Sequence, residues 1–198
     1  MTDNIFDSMA KRYDTEDRKA LADVIANEFR RELAGHEYHS MLDYGCGTGL
    51  VGLQLTDMFD RTTLADASDQ MVQIVKTKIT DEGLEHVEAI HLDLTREQAD
   101  IEVDVIIISL VLIHVPEVEV LLSALYKTLN PGGRLLIIDF DKNHNVYHPK
   151  LHNGFAHEEM RGLLLEAGFT PSAVRTFHEG QQLFMKQDAS MFITTGSK

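Results

Sequence analysis

An α/β fold with a mostly parallel sheet is what this sequence predicts, and three observations predict it. Apolar runs of strand length alternate with stretches of helical periodicity as far as residue 140. The run "DVIIISL" is β-branched almost without interruption, as suits a strand covered on both faces. The last third breaks the alternation, because two β-like segments, "AVRTFHEG" and "SMFITTGSK", have no convincing helix between them. A hairpin added to one edge of the sheet accounts for that ending and gives seven strands, the last antiparallel.

The elements follow in order. Leu21, Val24, Ile25, Phe29 and Leu33 fall at three- and four-residue spacing, so 17–34 reads as an amphipathic helix. "SMLDYG" is a short buried strand, "LVGLQLTDMF" a helix and "RTTLAD" the second strand. "SDQMVQIVKTKI" is a helix that either Ser68 or Asp69 caps. "HVEAIHLD" and "DVIIISL" are strands three and four, "VEVLLSALYKTL" is a helix stopped by "NPGG", and "RLLIIDF" is strand five. "HEEMRGLLLEAG" is a helix ended by Gly168.

Length and composition narrow the class. A chain of 198 residues, 43% hydrophobic and 25% charged, fits one substantial core better than two. The expected organisation is a single unit, with 1–35 as an N-terminal lid and helix and 36–198 as the main domain. The N-terminus shows no apolar signal-peptide run, and no stretch approaches the ~20 apolar residues of a membrane span, so a soluble, cytoplasmic protein is expected. One cysteine, Cys46, excludes an internal disulfide. A net charge of −14 without a compact Lys/Arg cluster makes free nucleic acid a poor partner.

The stretch "LDYGCGTGL" concentrates the chemistry. Gly45, Gly47 and Gly49 stand at alternate positions behind Asp43, with Cys46 as a small residue between two of them. Gly47, Gly49 and Gly52 also spell the G-x-G-x-x-G turn of dinucleotide sites, with Asp66 about 20 residues on, so two cofactors compete for one loop. A pyrophosphate at a helix N-terminus needs N–H groups and positive potential, which Asp43 opposes if it faces the ligand. An ammonium and a sulfonium would be attracted by a carboxylate. An acid followed by G-x-G-x-G therefore points to S-adenosylmethionine, the alternative being a tight turn with Asp43 turned away.

Five motifs in order carry a resemblance. "LDYGCGTGL", "LADASDQM", "HLDL", "DVIIISLVLIHV" and "LNPGGRLLIIDF" resemble class I S-adenosylmethionine-dependent methyltransferases of the small-molecule, ubiquinone/menaquinone-biosynthesis group. "FDSMAKRYD", residues 6–14, is similar to that family's lid. The resemblance implies a Rossmann-like doubly wound sheet, S-adenosylmethionine as cofactor and S-adenosylhomocysteine as product. It places Gly45, Cys46, Gly47 and Gly49 along the methionine part of the cofactor, with Asp43 near its amino group. Asp66 would accept the ribose hydroxyls, with Ala67 beside it, or else serve as a capping aspartate. Asp93 and Leu94 would face the adenine, Met71 would pack on the ribose or adenine or else belong to the core, and Ser109 would lie near the reactive end. Tyr13 would cover the cofactor or pin the N-terminus.

His114, following "SLVLI", is the candidate general base, with a structural histidine as the alternative. His144, His148 and His152 recur every four residues, but Pro149 interrupts a helix there and neither carboxylate nor cysteine completes a shell, so no metal site is expected. The expected function is methyl transfer to a small molecule of low negative charge, since three aspartates and the overall charge would repel a polyanion. Its rivals are a catalytically silent methyltransferase-like subunit and an NAD-dependent oxidoreductase.

Overall fold

The computed structural model describes residues 14–198. Tyr13 and, apart from Asp14, the lid-like segment 6–14 lie outside the described residues. Backbone contacts divide the chain into two compact units, one comprising residues up to Asp93 with Val103–Ile107, the other Leu94–Glu102 with Ile108–Lys198.

In the first unit, helix α1 (Glu16–Leu33) begins at Thr15, whose hydroxyl accepts the Arg18 N–H, and carries Glu16 and Asp17 in its first turn and Arg30 and Arg31 in its last. That distribution complements the helix dipole. Ile25, Phe29 and Leu33, one helical turn apart, are the stripe it buries. Strands β1 (Ser40–Tyr44), β2 (Arg61–Asp66), β3 (Val87–His91) and β4 (Val103–Ser109) run parallel in the order β3-β2-β1-β4. Every residue of β1 is buried, the carboxyl of Asp43 included. Helix α2 (Asp69–Glu82) is capped by Ser68 and closed by Gly83 at φ 66°. It packs Val72 and Val75 on Leu64, Val87 and Ala89, at about 1.5–3 kcal/mol for each buried valine. The register sets Tyr44 opposite Ala65, so the chain leaves β1 beside Asp66.

The stretch predicted as a helix over 50–59 is a 3₁₀ helix, Gly52–Met58. No side chain caps its start, and the glycine there lowers α-helix propensity, so nothing local enforces the wider winding. Arg30 reaches across from α1 to grip Asp57 with two hydrogen bonds, 3.2 and 2.6 Å.

In the second unit, β4 ends at Ser109 and the chain passes a 3₁₀ turn (Leu112–His114) into helix α3 (Val118–Thr128). Strand β5 (Leu129–Phe140), helix α4 (His157–Glu166), the two-residue β6 (Thr170–Pro171), β7 (Arg175–Phe184) and β8 (Gln187–Ser197) follow. Strand order here is β4-β5-β8-β6, with β7 also on β8, and β8 is antiparallel to β5, β6 and β7. The predicted hairpin is present with longer strands. Its turn is Met185–Lys186, with both residues at positive φ, 50° and 63°. The strand count among the described residues is eight because β6, too short to leave an alternating pattern, joins β8. Among these residues no helix is long and apolar enough to cross a membrane.

Gly52 is where the fold tolerates least. A Cβ there would come within 2.3 Å of both Asp43 Oδ2 and Leu64 Cδ2, and both neighbours are themselves buried. Helix propensity favours Gly52→Ala by about 1 kcal/mol, whereas overpacking typically costs about 1–3 kcal/mol, so the sign is set by packing. We expect Gly52→Ala to lower the urea midpoint; a variant as stable as the parent would show that the contact relaxes freely.

Candidate functional site

In the first unit the glycine loop is built from three left-handed positions, Gly45 at φ 74°, Gly47 at 55° and Gly49 at 80°. An L side chain is disfavoured at each, which accounts for their spacing. The N–H groups of Gly45 and Cys46 both donate to the Ala65 carbonyl, at 2.8 and 3.0 Å, and the Gly49 N–H closes the turn on the Cys46 carbonyl at 2.9 Å. Gly47 N–H donates to Asp66 Oδ2 at 2.8 Å, while Ser68 N–H donates to Asp66 Oδ1 at 2.8 Å. Asp66 therefore bridges the loop after β1 and the turn after β2. The cap of α2 is Ser68, whose hydroxyl accepts the Met71 N–H at 3.3 Å.

Asp43 lies beneath this loop, 1% exposed, with its carboxylate against Gly52 and without a hydrogen bond of full geometry to either oxygen. Burial foremost, and then the Asp66 charge, push it up to about 7, opposed by the nearby Gly52 N–H. Burial likewise pushes the Cys46 thiol up, and Asp43 and Asp66 add to the rise. Met71 is 1% exposed and packs in the core. Ala67 is exposed and its carbonyl meets His91 Nε2 at 3.1 Å; Asp93, after β3, is half-buried. The loop thus presents the Asp66 carboxylate and left-handed glycines above a buried Asp43. These fit a ligand bearing ammonium and sulfonium charge, whereas a pyrophosphate would meet the Asp66 charge.

In the second unit, Leu94 is buried and Ser109 half-buried. Leu110 follows at φ 56°, rare for leucine, its N–H held by the Ile138 carbonyl at 2.9 Å. His114 ends the 3₁₀ turn and has solvent access, yet the protein around it, and then His148, lower its pKa, which favours the neutral imidazole. His152 straps the segment 141–156 to that turn: its N–H donates to the Ile113 carbonyl at 2.9 Å and its ring to Val115 O at 2.8 Å. The stretch 143–152 forms no helix, so the four-residue histidine spacing does not align the rings. His148 Nδ1 instead accepts the Lys150 N–H at 3.2 Å.

Sequence reasoning missed Asp139, a fully buried carboxyl on β5 that accepts its neighbour's N–H, Phe140, at 2.8 Å. Burial pushes Asp139 up to about 7, against N–H groups of Phe140, Ile113 and Leu112 that favour its charged form. Asp14, Thr48 and Lys78 were missed as well: Thr48 sits between two glycines, and its partners are distant in sequence. Only the acid in "IIDF", within an otherwise apolar run, was a visible signal.

These carboxyls have a pH consequence. Between the ordinary carboxylate value near 3.8 and about 7, folded Asp139 keeps a proton that the unfolded chain releases, so its contribution is fully present at low pH and is lost as pH rises through 7. The difference corresponds to on the order of 4 kcal/mol. Unfolding by urea should show stability falling from pH 5 to about pH 7, and Asp139→Asn should remove roughly half of that fall, the rest belonging to Asp43; an unchanged slope in the variant would assign it elsewhere.

Residues 42–137 match the family described as a methyltransferase domain. The chain is 28% identical over 165 residues to the ubiquinone/menaquinone biosynthesis C-methyltransferase of Azotobacter vinelandii, covering 77% of this chain and 63% of that one. It is 26% identical over 154 residues to an uncharacterized methyltransferase of Schizosaccharomyces pombe, covering 73% and 53%. The chain thus spans between half and two-thirds of the length of these curated relatives. A S-adenosylmethionine-dependent methyltransferase from Aquifex aeolicus shares the fold with a TM-score of 0.75 at 22% identity, covering 96% of this chain and 97% of that one. Over these residues the chain is thus similar to a methyltransferase domain and to ubiquinone/menaquinone biosynthesis methyltransferases, and it shares the fold of a S-adenosylmethionine-dependent methyltransferase.

Proposed function

We propose that this protein transfers a methyl group from S-adenosylmethionine to a small-molecule acceptor of low negative charge. The observation that carries the proposal is the Asp66 carboxylate joined to the Gly47 N–H at 2.8 Å at the ends of adjacent parallel strands, where open α/β sheets bind ligands. A carboxylate has about four acceptor positions, enough for backbone donors and for a pair of ribose hydroxyls. Gly45, Cys46, Gly47 and Gly49 would lie along the methionine part and Asp43 would act on its charge from beneath. Asp93 and Leu94 would contact the adenine, with Ala67 beside the ribose, and Ser109 would lie toward the reactive end.

When bound, the cofactor would supply a methyl carbon made electrophilic by its sulfonium, whose sulfur leaves as a neutral thioether with the bonding pair. What the protein must add is alignment, which can account for about 7–11 kcal/mol of barrier reduction in well-oriented reactions. Any proton the acceptor loses would go to His114, whose lowered pKa keeps its lone pair available at neutral pH. The relatives' printed activity, C-methylation in quinone biosynthesis, supports a small acceptor. The net charge of −14 supports a neutral or cationic one. In this proposal 36–198 is the methyltransferase domain.

Calorimetry should give S-adenosylhomocysteine a micromolar-range Kd, about −8 kcal/mol, and no heat with NAD. Equal or tighter NAD binding would overturn the reading of the loop. Asp66→Ala should cost about 2–3 kcal/mol of that affinity in a folded protein. With labelled cofactor, a metabolite panel should take up methyl and total transfer RNA should not; His114→Ala should lose turnover and keep cofactor binding. Salt-sensitive incorporation into RNA alone would reverse the acceptor assignment.

A further inference from the structure

We propose that Lys78 is a positioning residue for the cofactor's amino-acid end, setting the glycine loop through a three-way cluster with Asp14 and Thr48. The inference rests on the reading of that loop as the S-adenosylmethionine site. Lys78 Nζ, on α2, donates to Asp14 Oδ2 and to the Thr48 carbonyl, both at 2.7 Å, and the Thr48 hydroxyl donates to the other Asp14 oxygen. Thr48 is 1% exposed and stands between Gly47 and Gly49, both left-handed. Glycines leave this stretch few intrinsic restraints, so its peptide orientations must be imposed from outside.

The imposition comes from two sides. Asp66 takes the Gly47 N–H and Lys78 takes the next residue's carbonyl, so the Cys46–Gly47 and Thr48–Gly49 peptide units are held from the end of β2 and from α2, with one peptide unit between them. Asp14 supplies the opposing charge that keeps the Lys78 ammonium in place. Both side chains are only 27–28% exposed, which makes the pair stiffer than a solvated ion pair. A cation here also moderates the acidic surroundings, since it counters the rise of the Cys46 thiol. Asp14 is the last residue of "FDSMAKRYD", so the cluster joins that motif's end to the loop. A restraint placed on Thr48 acts on the part of the loop assigned to the methionine portion, not on the Asp66 side assigned to the ribose.

That asymmetry provides the test. Calorimetry compares S-adenosylhomocysteine with 5′-methylthioadenosine, which lacks the amino and carboxyl groups, in wild type, Lys78→Met, Lys78→Arg and Asp14→Asn. We expect Lys78→Met to weaken S-adenosylhomocysteine at least tenfold while methylthioadenosine changes less than twofold. Lys78→Arg should recover most of the loss, and Lys78→Met combined with Asp14→Asn should cost little more than Lys78→Met alone. Equal weakening of both ligands, or unchanged binding of S-adenosylhomocysteine, would overturn the positioning role. Failure of the wild type to bind S-adenosylhomocysteine would instead overturn the reading of the loop. Thermal unfolding of each variant separates loss of fold from loss of positioning, and Asp14→Asn provides a second, neutral disruption if Lys78→Met does not fold.

Discussion

The hydrogen bond from Gly47 N–H to the Asp66 carboxylate, 2.8 Å long, is the constraint from which the site is organised. For it to form, β1 and β2 must run side by side and parallel, so that both end on the same edge, with Tyr44 opposite Ala65. The chain leaving β1 must then turn back at once, which the left-handed Gly45, Gly47 and Gly49 permit. The Ala65 carbonyl, accepting from Gly45 and Cys46, completes the same stitch. Thus a backbone loop with few restraints of its own becomes a defined surface because the neighbouring strand ends in an acid.

Electrostatics then select what that surface can hold. Asp43 lies below the loop and Asp66 is bonded to it, and their mutual repulsion is part of what raises Asp43 to about 7. The segment that follows is a 3₁₀ helix, whose poorer alignment of N–H groups offers an anion less than an α-helix N-terminus would. Both features disfavour a pyrophosphate and suit a cationic ligand. The same closeness that buries Asp43 requires glycine at position 52, so the site and the packing of β1 are one constraint.

In the second unit strain and strapping replace glycine. Leu110 holds a left-handed conformation directly after β4, and the turn Leu112–His114 is fastened by His152 and by the N–H groups that face buried Asp139. Residues scattered over 40 positions of sequence therefore hold His114 where the chain leaves β4. Positive φ at a leucine costs roughly 1–2 kcal/mol and persists because the Ile138 carbonyl takes its N–H.

The sequence by itself determined the elements whose signals are local. "RTTLAD" is β2 to the residue, and the periodicity around Val72 and Val75 marks α2 because a helix buries every third or fourth side chain. The glycine spacing and the acid at position 66 were legible for a similar reason: special φ values and strand-end carboxylates leave unusual letters. The turn at Met185–Lys186 was not legible, since two ordinary residues occupy positions where glycine or asparagine would have announced it. Nor was the 3₁₀ winding of 52–58, which its apolar spacing does not distinguish from an α-helix. Tertiary structure alone decided that Asp43 goes beneath the loop, that Ser68 rather than Asp69 caps α2, and that Lys78, Asp14 and Thr48 meet. Those outcomes depend on which strand lies beside which and on contacts across dozens of residues, and neither leaves a periodic trace in the chain.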